Sequence, residues 1–449
     1  MRKVYQLFIG LSIVSLSVSS CAGKKPRNIA RPDAVREALE GKRATVNAAW
    51  WGFDEKDATA ALQGAINSGA RTVIVPNMGK DWIVTPIRLA GNQSLVFEDG
   101  AAVRAKEGEF KGANDCLFHA ENLKNLTIRG KATLRMRKHD YMSGSYSKAE
   151  WRMGIALWGC SGVVIEGMTI AESGGDGIYI TGTAANPVSR NIRIRNVTCD
   201  RNYRQGISVI SADSLLIENC ILSNTSGTSP AAGIDMEPNL PVQRLSNIVV
   251  RNCLMSGNDG GGMHHYLGNL TDKSGNVSIL YERCRVTGAG GAGVIFGGVR
   301  DNGPEGVVEF RDCIVENTAD SGAWIFDKSS NGVRVRFVRC AWNNVAANIV
   351  KADEYTRFTP GVFMGESCVP APLWFFIGVV PGLTRELGGI EFIDCALTDT
   401  VDRPVIAFAS KDSGASVRDV AGSVRINSPY PPRMELGKRA VDISVSLGK

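Results

Sequence analysis

A segment of about thirty residues recurs from residue 160 onward, and this repeat limits the chain to a stacked architecture. Seven stretches alternate apolar and polar residues as half-buried strands do: GVVIEGMTI, NIRIRNVTC, LLIENCILS, IVVRNCLMS, SILYERCRV, VEFRDCIVE and VRFVRCAWN. A second strand follows a glycine in each repeat, as in DGIYIT, QGISVI, AGIDME, GGMHHY, AGVIFG and SGAWIF. No helical pattern lies between them. The sequence therefore predicts an all-β fold, a right-handed single-stranded parallel β-helix or solenoid.

Cysteines occupy one position of this repeat. They are separated by 33, 31, 29 and 27 residues and are Cys220, Cys253, Cys284, Cys313 and Cys340, with Cys395 continuing the column. Equivalent residues of successive coils stack about 4.8 Å apart. Each stacked cysteine then has two equal neighbours and no unique partner, so we expect a ladder of buried, reduced thiols and no disulfides.

The chain begins with a secretory signal pattern. Residues 1–20 have a basic start and an apolar stretch too short to span a bilayer, and they end in VSSC. This pattern predicts cleavage before Cys21 and acylation of its thiol. The protein would then be held by a lipid anchor in a bacterial envelope, on the periplasmic or surface side of the outer membrane. Residues 21–45 are expected to form the lipidated cysteine and a tether, and residues 46–449 the β-helix domain.

The formal net charge of +6 does not indicate a nucleic-acid partner, because the lysines and arginines are scattered along the chain. An acidic polysaccharide stays open as a partner. No C-x-x-C pair suggests zinc or redox chemistry, so no cofactor and no metal site is predicted. A calcium ion bridging acids to a uronate remains an open alternative.

The stretch DATAALQGAINSGARTVIVPNMGKDWIVTPIRLAGNQSLVFEDGAAVRA reads as a short helix followed by strands, with Asp57 as N-cap and Gly69 after its end. This stretch resembles the N-terminal signature of the pectin-lyase-like superfamily of polysaccharide enzymes. The resemblance covers about residues 46–345. It implies a helix capping the open end of a parallel β-helix, but it does not imply one activity, because the superfamily hosts several chemistries.

The repeat is interrupted near the C-terminus. Residues 351–388 lose the register and are expected to form an inserted loop packed on the flank of the helix. Its aromatic residues Trp374, Phe375 and Phe376 would pack there, or alternatively line a sugar groove. Residues from Pro404 onward are expected to form a final coil and cap.

The second strand of each repeat carries the candidate site. Alternation directs the first and third residues after each column glycine inward, and the second and fourth outward. Asp235 and Glu237 therefore share the outward face of one strand. The remaining candidates on or beside the same face are Asp176, Tyr179, Arg204, Gln205, Ser208, His264, Tyr266 and Trp324, with Arg152 on the preceding coil. The inward-facing His265 is expected to be buried and hydrogen-bonded.

The leading functional prediction is glycosidic hydrolysis of a polysaccharide, with Asp235 and Glu237 as the acid and base, assisted by Asp176 and His264. Residues i and i+2 of a strand have Cα atoms about 6.6 Å apart. An inverting glycosidase separates its carboxyl groups by roughly 6.5–9.5 Å. The seven other candidates are predicted to bind substrate: Arg152, Arg204, Gln205, Ser208, Tyr179, Tyr266 and Trp324. Cys21 is the predicted lipidation site.

Two alternatives stay open. The first is a lyase or C5-epimerase acting on a uronate polymer, with Arg204 or His264 as base, Tyr266 as proton donor and Arg152 neutralising the carboxylate. The second is a glycan-binding solenoid without catalysis. Within the superfamily, only Asp176 occupies a place that matches the polygalacturonase constellation, and the layout of an acid pair, a glutamine and a histidine is more similar to that of iota-carrageenases.

Overall fold

A computed structural model describes residues 30–347 and 371–448 of the 449-residue chain. The helices are α1 (Pro32–Leu39), α2 (Thr59–Asn67) and α3 (Lys138–Tyr141), and Ala48–Trp51 form a 3-10 turn. The strands up to the centre of the candidate site are β1 Thr45–Asn47, β2 Thr72–Val75, β3 Trp82–Val84, β4 Ile87–Arg88, β5 Gln93–Phe97, β6 Ala102–Ala105, β7 Phe118–Glu121, β8 Lys124–Arg129, β9 Thr133–Arg135, β10 Ile155–Trp158, β11 Ser161–Glu166, β12 Thr169–Ala171, β13 Ile178–Thr181, β14 Ser189–Arg195, β15 Thr198–Asp200, β16 Gln205–Val209, β17 Ala212–Glu218, β18 Ile221–Ser223 and β19 Ala232–Met236.

The remaining strands are β20 Leu245–Arg251, β21 Leu254–Ser256, β22 Met263–Tyr266, β23 Val277–Glu282, β24 Arg285–Thr287, β25 Val294–Val299, β26 Gly306–Arg311, β27 Ile314–Glu316, β28 Ala323–Lys328, β29 Arg334–Val338, β30 Ala341–Asn343, β31 Leu373–Ile377, β32 Glu386–Thr398, β33 Ile406–Ser410, β34 Ser416–Asn427, β35 Met434–Glu435 and β36 Val441–Gly448.

The strands form two parallel sheets that wind around one core. Twelve of the described strands, from β4 to β35, form the front sheet, and each pairs with its equivalent one coil away. The other 24 form the back sheet, in which a longer and a shorter strand alternate along the chain from β2 to β30, and the long strands β32, β34 and β36 follow. One complete coil is β13, β14 and β15, after which β16 returns to the front sheet beside β13. This is the predicted right-handed parallel β-helix.

The interior is filled by stacked apolar side chains. Ile178, Ile207, Ile234, Met263 and Val294 are neighbours in register along the front sheet, and all are buried. The predicted cysteine ladder is confirmed, because all six of its members are buried free thiols. Burial of small apolar groups along a continuous column gives each coil the same core contacts as its neighbours.

The N-terminal end is closed by helices. The predicted helix is α2, which buries Leu62, Ala65 and Ile66 against the first coil, while Asp57 Oδ1 accepts a hydrogen bond from the Thr59 amide at 3.0 Å. Part of the predicted tether is folded. Helix α1 buries Ala34 and Ala38. Arg31, the residue before this helix, donates its backbone amide to Trp50 O at 3.0 Å.

The C-terminal part differs from the predicted insertion of residues 351–388. Residues 351–370 lie outside the described residues. Leu373–Ile377 form strand β31, which continues the front sheet beside β28, with Trp374 in register with Trp324. Trp374 and Phe376 lie on the outer side of the sheet and are also buried, so apolar and polar residues do not alternate here. Alternation therefore did not reveal this strand. Two further coils follow, ending at β36.

The predicted signal and lipidated Cys21 also lie outside the described residues. In the parts of the chain that the structure describes, no helix has the length and apolar character needed to cross a bilayer.

Candidate active site

An outward-facing column on the front sheet carries the candidate site. Tyr179, Ser208, Asp235 and His264 are in register on β13, β16, β19 and β22. Adjacent members therefore lie about one strand spacing apart, roughly 4.8 Å. Toward the C-terminus the column becomes apolar, with Ile295, Trp324 and Trp374. The polar members thus form one patch bordered by an aromatic surface.

Asp235 and His264 form a hydrogen-bonded pair at the centre of this column. His264 Nδ1 lies 2.7 Å from Asp235 Oδ1. Gln205 Nε2 approaches the other carboxylate oxygen at 3.4 Å, while its Oε1 accepts from the Ala232 amide at 2.8 Å. The Asp235 side chain is fully buried, whereas that of His264 is 14% exposed. Asp235 thus lies on the outward face as predicted, but it is not exposed to solvent, because groups of the neighbouring coils cover it.

Arg204 lies among four acidic side chains. These carboxyl groups form the carboxylate cluster, and they belong to Glu150, Asp176, Asp235 and Glu237. The guanidinium nitrogens of Arg204 are 4.0 Å from Glu150 Oε1, 3.8 Å from Asp176 Oδ2 and 3.6 Å from Glu237 Oε2. These separations exceed ordinary hydrogen bonds. Arg204 Nε and both Asp176 oxygens are buried without a hydrogen-bond partner. Buried polar atoms without hydrogen bonds destabilise a folded protein. This site therefore has a hydrogen-bond donor and acceptors that its own side chains do not use.

Burial changes the acidity of two of these carboxyl groups. The pKa of the fully buried Asp176 rises to about 7, mainly because burial disfavours its charged form, although Arg204 opposes this. The pKa of Glu237 is also raised, first by burial and then by the charge of Asp235. Glu237 directly follows β19 and its side chain is 29% exposed. It therefore combines a tendency to hold a proton with access to the surface.

Glu150 belongs to this cluster and was missed by the sequence analysis. Besides its contact with Arg204, its Oε2 accepts a hydrogen bond from Thr228 Oγ1 at 3.2 Å. It ends segment 138–150, which begins with α3 and continues without regular secondary structure. The start of the segment is held by Lys138 Nζ, which donates to Asn202 O at 3.2 Å and Ser226 Oγ at 2.8 Å. No repeat or alternation marks this segment, so no sequence pattern placed Glu150 near Arg204.

Arg152 does not line the candidate site, which corrects the prediction that it binds substrate. It is fully buried, and its guanidinium donates to the carbonyl oxygens of Phe110, Lys111 and Ser147 at 2.8, 3.3 and 3.1 Å. It also lies over the rings of Tyr141 and Tyr146, at 5.4 and 5.5 Å. Arg152 therefore holds segment 138–150 in place.

Two glycines allow this segment to pack against the site. A Cβ on Gly174 would lie 2.6 Å from the Tyr141 ring, and one on Gly175 would lie 2.6 Å from Glu150 O. Neither position has room for a side chain. The SGGDG stretch before β13 is thus explained by close packing of the segment that carries Glu150.

The other predicted binding residues differ in their surroundings. Ser208 is buried beside Asp235, and its hydroxyl lacks a hydrogen-bond partner. Tyr179 is half-buried against Cys116, Met153 and Ala156, and burial raises its pKa to about 12. Tyr266 stacks on Phe326, with ring centroids 6.4 Å apart.

Trp324 lies beyond Ile295 on the column and is half-buried. It lines a cavity that His264 also lines. Trp324 therefore lies near the carboxylate cluster without contacting it, on the outward face that the repeat predicted.

The inward-facing His265 is buried as predicted. Its Nε2 lies 2.8 Å from Tyr281 Oη and its Nδ1 lies 3.1 Å from Ile295 O, and burial lowers its pKa to about 4. Across residues 30–347 and 371–448, no three His, Cys, Asp or Glu side chains are grouped so that they could hold a metal ion. Within the carboxylate cluster, the Arg204 guanidinium supplies the positive charge.

Comparison with known proteins identifies the family. Residues 87–236, 130–303 and 189–356 each match the family described as "Right handed beta helix region". Together these matches cover more than half of the chain, and the protein belongs to this family. It is 29% identical over 244 residues to the uncharacterized protein YclG of Bacillus subtilis, a match that covers 48% of this chain and 39% of YclG.

Two solved structures share the fold. One is the tailspike protein of E. coli bacteriophage HK620 in complex with pentasaccharide, with a TM-score of 0.60 and 15% identity, over 85% of this chain and 67% of that one. The other is the A-module of the Azotobacter vinelandii mannuronan C-5 epimerase AlgE6, with a TM-score of 0.54 and 15% identity, over 90% of this chain and 99% of that one. At these identities the likeness concerns the β-helix alone.

Proposed function

We propose that this protein hydrolyses a glycosidic bond of a polysaccharide, with Glu237 as proton donor and His264 as the base that activates water. The observation that carries the proposal is the pairing of a partly exposed acid of raised pKa with a histidine held by a buried aspartate. An inverting hydrolysis needs a proton donor beside the leaving oxygen and a base that activates water on the opposite face of the sugar ring, and Glu237 and His264 supply these two groups in the proposal.

The hydrogen bond to Asp235 gives His264 its role in this proposal. If Nδ1–H donates to the carboxylate, Nε2 keeps its lone pair and can accept a proton. Water then loses a proton to Nε2 while its oxygen bonds to the anomeric carbon. The bond from that carbon to the leaving oxygen breaks, and Glu237 protonates this oxygen. Asp235 thereby becomes a positioning residue, which revises its predicted role as the acid or base.

The charge balance supports hydrolysis over uronate chemistry. Glu150, Asp176, Asp235 and Glu237 all act electrostatically on one guanidinium, that of Arg204. Even when Glu237 holds the proton that it donates, the remaining carboxyl groups outnumber the one guanidinium, and this balance disfavours a uronate carboxylate. The lyase or epimerase alternative also assigned charge neutralisation to Arg152, which donates to backbone carbonyls inside the fold. The fold likeness to AlgE6 does not alter this balance.

The experiment is incubation of the soluble chain from residue 30 with a panel of plant, marine and bacterial polysaccharides. Hydrolysis gives saturated oligosaccharides, each cleavage adding one water in mass. An unsaturated product absorbing in the ultraviolet supports the lyase instead, and an unchanged mass with inverted C5 stereochemistry supports the epimerase. Glycan binding without any product supports the non-catalytic solenoid.

The variant Glu237→Gln identifies the proton donor on whichever glycan is cleaved. We expect turnover to fall roughly 10²- to 10⁴-fold, the usual value of general acid catalysis. The matched control is Glu282→Gln on the back sheet, where Glu282 pairs with Arg283 away from the site. A normal rate in Glu237→Gln would remove Glu237 from the mechanism.

A further inference from the structure

A cavity of about 290 Å³ lies beside the carboxylate cluster. Three turns that precede neighbouring front strands form its wall, at residues 227–231, 259–261 and 291–292, and Trp324 lies on its C-terminal side. His264 lines the cavity and also bonds Asp235. Thr228 lines it as well and donates to Glu150. A ligand in this cavity would therefore contact residues attached to the reactive cluster at two points.

The size and lining of the cavity indicate its ligand. Its volume is near the lower limit of small-molecule sites, roughly 300–1,000 Å³, which suits one sugar ring. The indole of Trp324 offers a flat apolar surface for the C–H face of a pyranose, while backbone turns and carboxylates can bond hydroxyl groups. The titratable groups in the wall are Asp259, Asp320 and His264. Among the wall residues that the structure describes, Asp259 contributes a carboxylate and there is no Lys or Arg, which disfavours an anionic occupant.

We propose that this cavity is a binding subsite for one uncharged pyranose unit, and that Asp259 selects such a sugar over a uronate. The inference rests on the proposed function for its place beside a reactive centre. It adds the class of sugar and the side of the cluster on which the glycan lies. The glycan would extend from Glu237 and His264 toward Trp324, along the C-terminal coils.

Binding is tested without turnover in the Glu237→Gln protein. The probes are short neutral oligosaccharides of glucose, mannose, galactose and xylose, with oligogalacturonate as the anionic probe. Calorimetry and tryptophan fluorescence report affinity. We expect at least one neutral oligosaccharide to bind more tightly than oligogalacturonate, and Trp324→Ala to weaken that binding about tenfold or more. Trp158→Ala is the matched control, because Trp158 is also half-buried on the front sheet but lies outside the cavity.

The variant Asp259→Asn tests selection by charge. We expect it to reduce the ratio of neutral-sugar affinity to uronate affinity severalfold, because Asp259 repels an anion only while it is charged. The proposal is overturned if oligogalacturonate binds best, if no neutral oligosaccharide binds, or if Trp158→Ala lowers affinity and Trp324→Ala does not. If the wild-type protein cleaves no glycan but glycan binding still depends on Trp324, the subsite is supported and the proposed hydrolase activity is refuted. If the wild-type protein cleaves a glycan and Trp324→Ala leaves that turnover unchanged, the hydrolase activity is supported and the subsite is refuted.

Discussion

His264 Nδ1 and Asp235 Oδ1 lie 2.7 Å apart, on neighbouring strands whose Cα atoms are in register. The parallel stacking of coils produces this pair, because it places side chains 29 residues apart in sequence directly beside each other. The imidazole reaches the surface and the carboxylate does not. Of the two, only His264 can therefore contact a glycan directly.

Asp235→Asn should lower turnover by roughly 10²- to 10⁴-fold, because His264 loses the partner that fixes its tautomer. The charge of Asp235 raises the pKa of Glu237. Its removal should therefore lower that pKa, and the alkaline limb of the rate profile should move to lower pH. The measurement is a pH–rate profile beside the melting temperature. A rate loss with an unmoved alkaline limb would contradict the link between Asp235 and Glu237.

Asp176→Asn should change how stability depends on pH. Burial raises the folded-state pKa of Asp176 to about 7 from 3.8, so the folded protein holds this proton more tightly than the unfolded chain. This contribution to stability is complete below pH 3.8 and is lost as pH rises through 7. The variant should thus be more stable than the wild type at pH 8, by roughly 1–4 kcal/mol, with little advantage at pH 4. Denaturant unfolding at both pH values checks this, and an equal difference at both would contradict it.

Arg152→Met should weaken the attachment of segment 138–150, because the hydrogen bond to Ser147 O and the cation–π contacts with Tyr141 and Tyr146 are lost. The charge of Glu150 helps to raise the pKa of Glu237. We therefore expect a lower melting temperature and an alkaline limb shifted to lower pH. Glu150→Gln should produce the same shift with little change in melting temperature. If Arg152 is only structural, its substitution will lower stability and leave the pH profile unchanged.

Cys21→Ser should release the protein from membranes, because the predicted lipid is carried by this thiol. The measurement is partition between membrane and soluble fractions, with metabolic labelling by a fatty acid. Cys116→Ser is the control, since Cys116 is buried within the fold. Continued membrane association of unlabelled Cys21→Ser protein would refute the anchor.

The repeat and the alternation were sufficient to predict the solenoid, the cysteine ladder and the shared face of Asp235 and His264. These features depend on residue spacing alone, because every coil repeats the same backbone path. The inward position of His265 followed for the same reason.

Only the tertiary structure decided how deeply each outward side chain is covered. Arg152 is enclosed by carbonyls from residues 110–147, and Asp235 is covered by groups from two other coils. Glu150 enters the site on a segment that has no period, and Leu373–Ile377 form a strand where two outward aromatic residues are buried. Alternation specifies the direction in which a side chain leaves the strand. Its exposure depends on irregular segments from elsewhere in the chain, whose path no local periodicity encodes.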